Sequence, residues 1–173
     1  ISPTNAITLS GDGNKYGASS VFTSAFTSTL LNLENDAGGV NKSGSPMIAY
    51  CFAPKQGFSR FGFHRGNGST NGPFVYTGFK PAFLMFKQTT GNGNAWFMFD
   101  SARSTFNGSM PYLRANGTDT TSGAGSDLVQ FMSNGYKLKH NDSAFNGDNH
   151  DYLYMAFAEN PFVTSGGAPT TAR

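Results

Sequence analysis

A single cysteine, Cys51, leaves this 173-residue chain unable to form an intrachain disulfide. A disulfide-stapled secreted scaffold is thereby excluded. Charged residues make up only 13% of the chain, and a net charge of +2 comes without any cluster of lysine and arginine. A nucleic-acid interface needs a basic stripe, so no nucleic-acid partner is expected. No apolar run approaches the roughly 20 residues of a membrane-spanning helix, and membrane insertion is not expected either. The opening residues ISPTNAITLSGDG lack the charged start and apolar centre of a secretory leader, so none is expected. Helix is scarce as well. No window offers ten amphipathic residues, and one helical turn over residues 101–106 is the most the pattern predicts.

What the chain does have is glycine, at 22 residues, and aromatics, at 14%, with phenylalanine far ahead. Enough large apolar groups are present to offset chain entropy, so disorder is not expected. Aromatic runs recur between turns of Gly, Asn, Ser and Thr, which predicts strands near residues 6–9, 20–26, 30–33, 47–53, 58–64, 74–79, 82–87 and 95–99. Further strands are expected at residues 112–114, 128–132, 136–139 and 151–158, with a hairpin turn at Ser133-Asn134-Gly135. Residues 151–158 are apolar on both faces, as in a strand packed on both sides. This spacing predicts an all-β chain, an antiparallel β-sandwich of jelly-roll type with little or no helix. Cys51 lies in the apolar run MIAYCFA and is expected to be a buried, inert thiol.

The chain also echoes itself. Residues 26–53 reappear, altered, as residues 131–158 at a constant spacing of 105 positions. Phe26/Phe131, Ser28/Ser133, Leu33/Leu138, Asn41/Asn146, Phe52/Phe157 and Ala53/Ala158 are identical, and Ile48/Leu153 and Tyr50/Met155 stay apolar. Such an echo predicts a modular array, and like environments for residues 47–53 and 151–158. Residues 1–56 are accordingly expected to be the closing strands of a preceding unit packed on the next. Residues 57–165 are expected to form one complete unit, and residues 166–173 a flexible tail.

Chemistry is sparse. His64, His140 and His150 show no metal-ligand spacing and are expected to be solvated loop residues. Asp142, Asn146, Asp148 and Asp151 crowd one loop with oxygen donors for a hard cation, yet they lack EF-hand order, and Asx turns explain the same letters. No metal and no cofactor is expected. Asp100 is predicted to pair locally with Arg103 and not to serve as one of two glycosidase carboxylates. No GxSxG and no nucleotide-binding glycine loop is present, so no catalytic residue is expected and the chain does not look like an enzyme.

Several segments together resemble large structural proteins of tailed bacteriophages, of the tail-fibre type. Residues 61–87 (FGFHRGNGSTNGPFVYTGFKPAFLMFK) are similar to a family pattern near FGSYTGNGSTDGPFVYTGF(K/R)PA. AWFMFDSAR at residues 95–103, SNGYKL at 133–138 and YLYMAFAENPF at 152–162 follow in the family's order. Phe63-His64-Arg65 replaces the usual SYT, and Phe99 stands where Trp or Ile precedes the Asp. The resemblance implies a virion protein, exposed on the phage particle and extracellular when mature. It further implies a homotrimer and carries no catalytic residue.

Two functions follow as expectations. The first is host adhesion, in which neutral polar loops contact a host-surface glycan or protein; the candidate residues are Asn67, Asn71, Asn92, Asn94, Asn116, Thr118 and Asn149. The second is a purely structural fibre or capsid-decoration role in assembly. A carbohydrate-degrading enzyme stands third, disfavoured by the shortage of well-placed acids.

Overall fold

A computed structural model describes residues 5–7, 9, 16–17, 27, 29–33, 41–91, 93–103, 110–118 and 126–161. The chain divides into two compact units, one of residues 1–8 and 15–52, the other of residues 9–14 and 53–173. In the first, β1 (Asn5–Ala6) pairs antiparallel with β2 (Tyr16–Gly17). The expected strand at residues 20–26 lies outside the described residues.

The second unit holds β3 (Ser59–Arg65), β4 (Phe74–Tyr76), β5 (Pro81–Gln88), β6 (Phe97–Asp100), β7 (Leu113–Arg114), β8 (Val129–Met132), β9 (Gly135–Leu138), the one-turn helix α1 (Ser143–Asn146) and β10 (Asp151–Ala158). All pairings are antiparallel, in two sheets ordered β3-β10-β5-β6-β7 and β4-β9-β8. The all-β sandwich expected from the strand spacing is therefore present.

The two sheets close on one apolar core. Leu84 and Phe86 of β5, Phe97 and Phe99 of β6, and Tyr152, Tyr154 and Ala156 of β10 meet Val75, Val129, Phe131, Tyr136 and Leu138 of the smaller sheet. Every one of these positions follows the period of two along its strand, so strand alternation alone assigns them to the same face. Aromatic pairs dominate the contact, with Phe86 stacked on Phe99 at 5.5 Å between ring centroids and edge-on to Tyr152 at 6.1 Å. The β8–β9 hairpin turns at Ser133-Asn134 as expected. A Cβ added to Gly135 would stand 2.2 Å from the Val75 carbonyl oxygen, so only glycine lets β4 lie against the hairpin there.

β10 is the central strand, bonded to β3 along one edge and β5 along the other. Its alternate residues Leu153, Met155 and Phe157 are half-buried on the opposite face of the larger sheet. Register lines up Phe61, Met155, Met85, Met98 and Leu113 straight across that outer face.

Three expectations are corrected. Residues 47–53 form no strand, and their side chains are exposed, Ile48 to 80% and Tyr50 to 81%. Their echo, β10, is a doubly paired central strand, so the two segments share a sequence pattern but not an environment. The physical reason is pairing: a strand of this composition is buried only when both rows of backbone groups find partners. Cys51, within this segment, is exposed and not buried. Finally, His64 is no loop residue. It sits on β3 with 7% of its surface exposed, because the period of two turns it toward the core.

Candidate functional site

Antiparallel pairing fixes where the loops fall. Asp151 faces Arg65, Tyr152 lies opposite Gln88, and Phe97 pairs with Arg114. The loops that leave β3, β5 and β7 therefore share one end of the sandwich with the loop that enters β10. Phe74 pairs with Lys137, which brings the start of β4 and the end of β9 to the same end. Asn67, Asn71, Asn94, Asn116, Thr118 and Asn149 all sit on this end, while Asn92 lies outside the described residues.

Within it, the structure separates residues that hold the loops from residues that face outward. Asn146, fully buried at the end of α1, joins two loops. Its Oδ1 accepts from the Asn67 amide at 3.0 Å, and its Nδ2 donates to Asn67 Oδ1 at 2.9 Å and to the Ser69 carbonyl at 2.8 Å. Asn67 Nδ2 donates onward to the Asn71 carbonyl at 3.2 Å. A Cβ on Gly66 would come within 2.2 Å of the Gly147 carbonyl oxygen, so the two loops meet backbone to backbone. Asn67 is thus spent on architecture.

Asn94 and Asn116 are engaged in the same way. Asn94 Nδ2 donates to Gln88 Oε1 at 2.5 Å, and its carbonyl accepts from the buried Lys87 ammonium, which lies 5.8 Å from the Trp96 ring centroid. Gln88 Nε2 and His150 Nδ1 are 2.5 Å apart. Asn116 Oδ1 accepts from the Trp96 amide at 2.9 Å. By contrast Asn71, Thr118 and Asn149 are exposed. Asn149 adopts a positive φ of 58°, with its Nδ2 donating to Asp148 Oδ2 at 3.0 Å.

The acids of the Asp142–Asp151 loop point to separate partners. Asp142 caps α1, accepting from the Ala144 amide at 2.7 Å; Asp148 accepts from Asn149; Asp151 lies 3.7 Å from the Arg65 guanidinium. Among the described residues no group of three His, Cys, Asp or Glu side chains could hold a metal ion. Asp100 pairs with Arg103 at 2.5 Å, the local pairing expected of it.

Two shallow clefts stand out among the described residues of this unit. One, of about 280 Å³ at the loop end, is lined by Asn94, Tyr112, Arg114 and Asp142 among others, while the neighbouring Phe97 and Phe145 are buried in the core. The other, of about 440 Å³, is lined by Lys55, Arg60 and Tyr76 among others. A third groove, of about 670 Å³ in the first unit, is mainly apolar, with Leu31, Leu33, Met47 and Ile48 on its walls. Tyr112 and Arg114 escaped the sequence analysis as site residues, and Asp142 figures there only as a cation donor. Tyr112 and Arg114 lie 28 or more positions before Asp142 in the chain, and no motif links the three; only the N-cap letter at Asp142 offers a local signal.

Beneath the loop end lies an aromatic and imidazole stack. His64 is stacked on Tyr152 at 4.8 Å and receives, or gives, a 2.9 Å hydrogen bond between its Nδ1 and Tyr136 Oη. Burial pulls the His64 pKa down to about 3, only partly offset by the backbone of Phe145. Burial also pushes the Tyr136 phenol well above its usual value, so its Oη keeps the proton. The other ring nitrogen, Nε2, is buried with no hydrogen-bond partner. Tyr152 Oη accepts from the Gly147 amide at 2.7 Å and donates to the Ser143 carbonyl at 2.5 Å, locking the loop before β10.

A family model described as a domain of unknown function (DUF7483) matches residues 1–161. No curated protein and no solved structure matches the chain.

Proposed function

We propose, for a chain that belongs to the DUF7483 family, the role of a non-enzymatic adhesion module in a tail-fibre-type protein of a phage virion. The observation that carries this reading is the gathering of the polar loops at one end of a rigid sandwich. Loops so placed can meet a surface while the two sheets hold their spacing. The buried ties through Asn146 and Gln88 keep the loop bases in place, which lowers the ordering cost of binding. Asn71 and Thr118 are then left to make outward contacts, beside an exposed Asn149 tied to Asp148 and Arg65, with a host-surface glycan or protein as the partner.

Binding of the labelled full chain to a panel of bacterial cells tests the proposal. Saturable capture by some strains and not others is expected. Absence of capture across the panel at high protein concentration removes the adhesion role.

A second reading, assembly, is favoured by a different observation. The outer face of the larger sheet carries a half-buried apolar line from Phe61 to Leu113, with Met85 buried within it, and residues 47–53 expose apolar side chains. A module that only joins copies of itself, as a trimer, would cover such surfaces. Sedimentation of the full chain separates the two, since a monomer at micromolar concentration argues against self-assembly.

A further inference from the structure

We infer that the 440 Å³ cleft lined by Lys55, Arg60 and Tyr76 is a binding site for an acidic saccharide, a sugar ring that bears a carboxylate or a phosphate. Ser59 pairs with Phe157 and Tyr76 with Gly135, so the cleft lies at the end of the sandwich opposite the polar loops. None of the loop-end residues takes part, and the site goes beyond the adhesion reading above.

The fold brings two cations here by separate devices. Alternation along β3 turns residues 60, 62 and 64 toward the smaller sheet, and His64 is buried there. A Cβ on Gly62 would stand 3.0 Å from the Tyr154 hydroxyl, so Tyr154 fills that position. Arg60 comes next, at the mouth between the sheets, and its side chain is exposed. Lys55 is held by a closed turn. Its amide donates to the Ser59 carbonyl at 3.1 Å, and its carbonyl accepts from the Phe58 and Ser59 amides at 3.0 and 2.9 Å. Gly57 completes the turn with a φ of 70°. Lys55 thus stands across from Ser59, the chain neighbour of Arg60.

Charge selects the sign of the ligand. Neither Lys55 nor Arg60 has an ion-pair partner among the described residues, and no acid lines the cleft. The acids described at this end, Asp100 and Glu159, are taken by Arg103 and Lys80. An anion placed between two donor-only cations relieves their repulsion and gains charge-assisted hydrogen bonds. The rest of the lining selects the body that carries the anion. Tyr76 is 63% exposed and lies beside Gly78, where an added Cβ would be 3.6 Å from its hydroxyl. Its ring and Pro54 offer apolar surface to the C–H face of a sugar, and the exposed Gln56 amide can donate to and accept from hydroxyl groups. A volume of about 440 Å³ lies within the roughly 300–1,000 Å³ of ligand pockets. A bare inorganic anion would use the cations and leave Tyr76 without a contact.

The test titrates the full chain with digalacturonate, glucose 6-phosphate, lactose and inorganic phosphate, followed by NMR amide shifts. Saturable binding of an acidic sugar is expected, weakening as salt rises, with shifts centred on residues 55–60 and 76–78. Binding of either acidic sugar upholds the site and names its anion, and lactose should not bind. Arg60→Gln and Lys55→Gln should each weaken the acidic sugar about tenfold or more. Both side chains are exposed, so the urea midpoint should stay unchanged. Tyr76→Leu keeps a large apolar side chain on β4; it should weaken the sugar about threefold and leave inorganic phosphate unaffected. Lactose binding as tightly as digalacturonate overturns the charge assignment. Inorganic phosphate binding as tightly as the acidic sugars overturns the saccharide class. Shifts centred elsewhere, unchanged affinity in both cation variants, or no acidic-sugar binding at millimolar concentration overturns the site. Cell capture plays no part in these readings, so the adhesion role and this site fail separately.

Discussion

His64 shows how one side chain couples this fold to pH. Its folded pKa of about 3 lies below the ordinary 6.5, so between these values the unfolded chain binds a proton that the folded chain refuses. Stability is therefore full above pH 6.5 and falls as the pH drops toward 3. At 1.36 kcal/mol per pH unit, the loss from this group amounts to at most about 5 kcal/mol. Urea midpoints measured from pH 7 to pH 3.5 should decline, and His64→Phe should flatten part of that decline. A variant with the same slope as the parent would assign acid sensitivity to other groups. Gly135 is the second decisive residue. Gly135→Ala places a methyl 2.2 Å from the Val75 carbonyl oxygen and 2.8 Å from the Phe74 ring. Overpacking against a backbone that cannot retreat should cost about 1–3 kcal/mol, read as a lower denaturation midpoint.

At the scale of elements, β10 and α1 act as a pair. Tyr152 belongs to the strand, yet its hydroxyl bridges the Gly147 amide and the Ser143 carbonyl at the two ends of the helical turn. Tyr152→Phe removes both bonds and leaves the ring in the core. A loss of about 1–2 kcal/mol is expected, with faster hydrogen exchange at the Gly147 amide and unchanged protection in β5. Equal acceleration in both places would mean that the bridge supports the whole sandwich and not the loop.

The element scale is also where local pattern was most and least informative. The strands β3, β5, β8, β9 and β10 announce themselves through alternation and turn letters, because burial of one face imposes a period of two on the sequence. Residues 47–53 carry the same signature and form no strand. Composition reports that a segment can be buried between strands, whereas pairing depends on partners elsewhere. The helix α1 is a single turn with Asp142 as its cap, too short for any periodicity to appear. His64 illustrates the same limit, since polar neighbours in sequence say little about the neighbours across a strand.

On the scale of the whole molecule, the two units differ in what can be probed. The second unit contains the continuous core, while residues 47–53 expose Tyr50 and Phe52 just before it begins. Limited chymotrypsin digestion should cut after Tyr50 or Phe52 first and leave a fragment that still unfolds cooperatively. Cys51 should react with a thiol reagent at nearly the same rate in native and unfolded protein. Slow native labelling would mean that the segment is covered, as the assembly role requires.

Sequence alone determined that the chain is β-rich, which faces of its main strands turn inward, and that its polar residues are gathered into glycine-rich loops. These follow from backbone periodicity and turn chemistry, which act over a few residues. Only tertiary structure decided that the loops share one end, that Asn67, Asn94 and Asn116 are structural ties, and that Tyr112, Arg114 and Asp142 face one cleft. Strand register sets those distances, and register is fixed by the packing of two sheets on a common core, a condition that no short stretch of the chain contains.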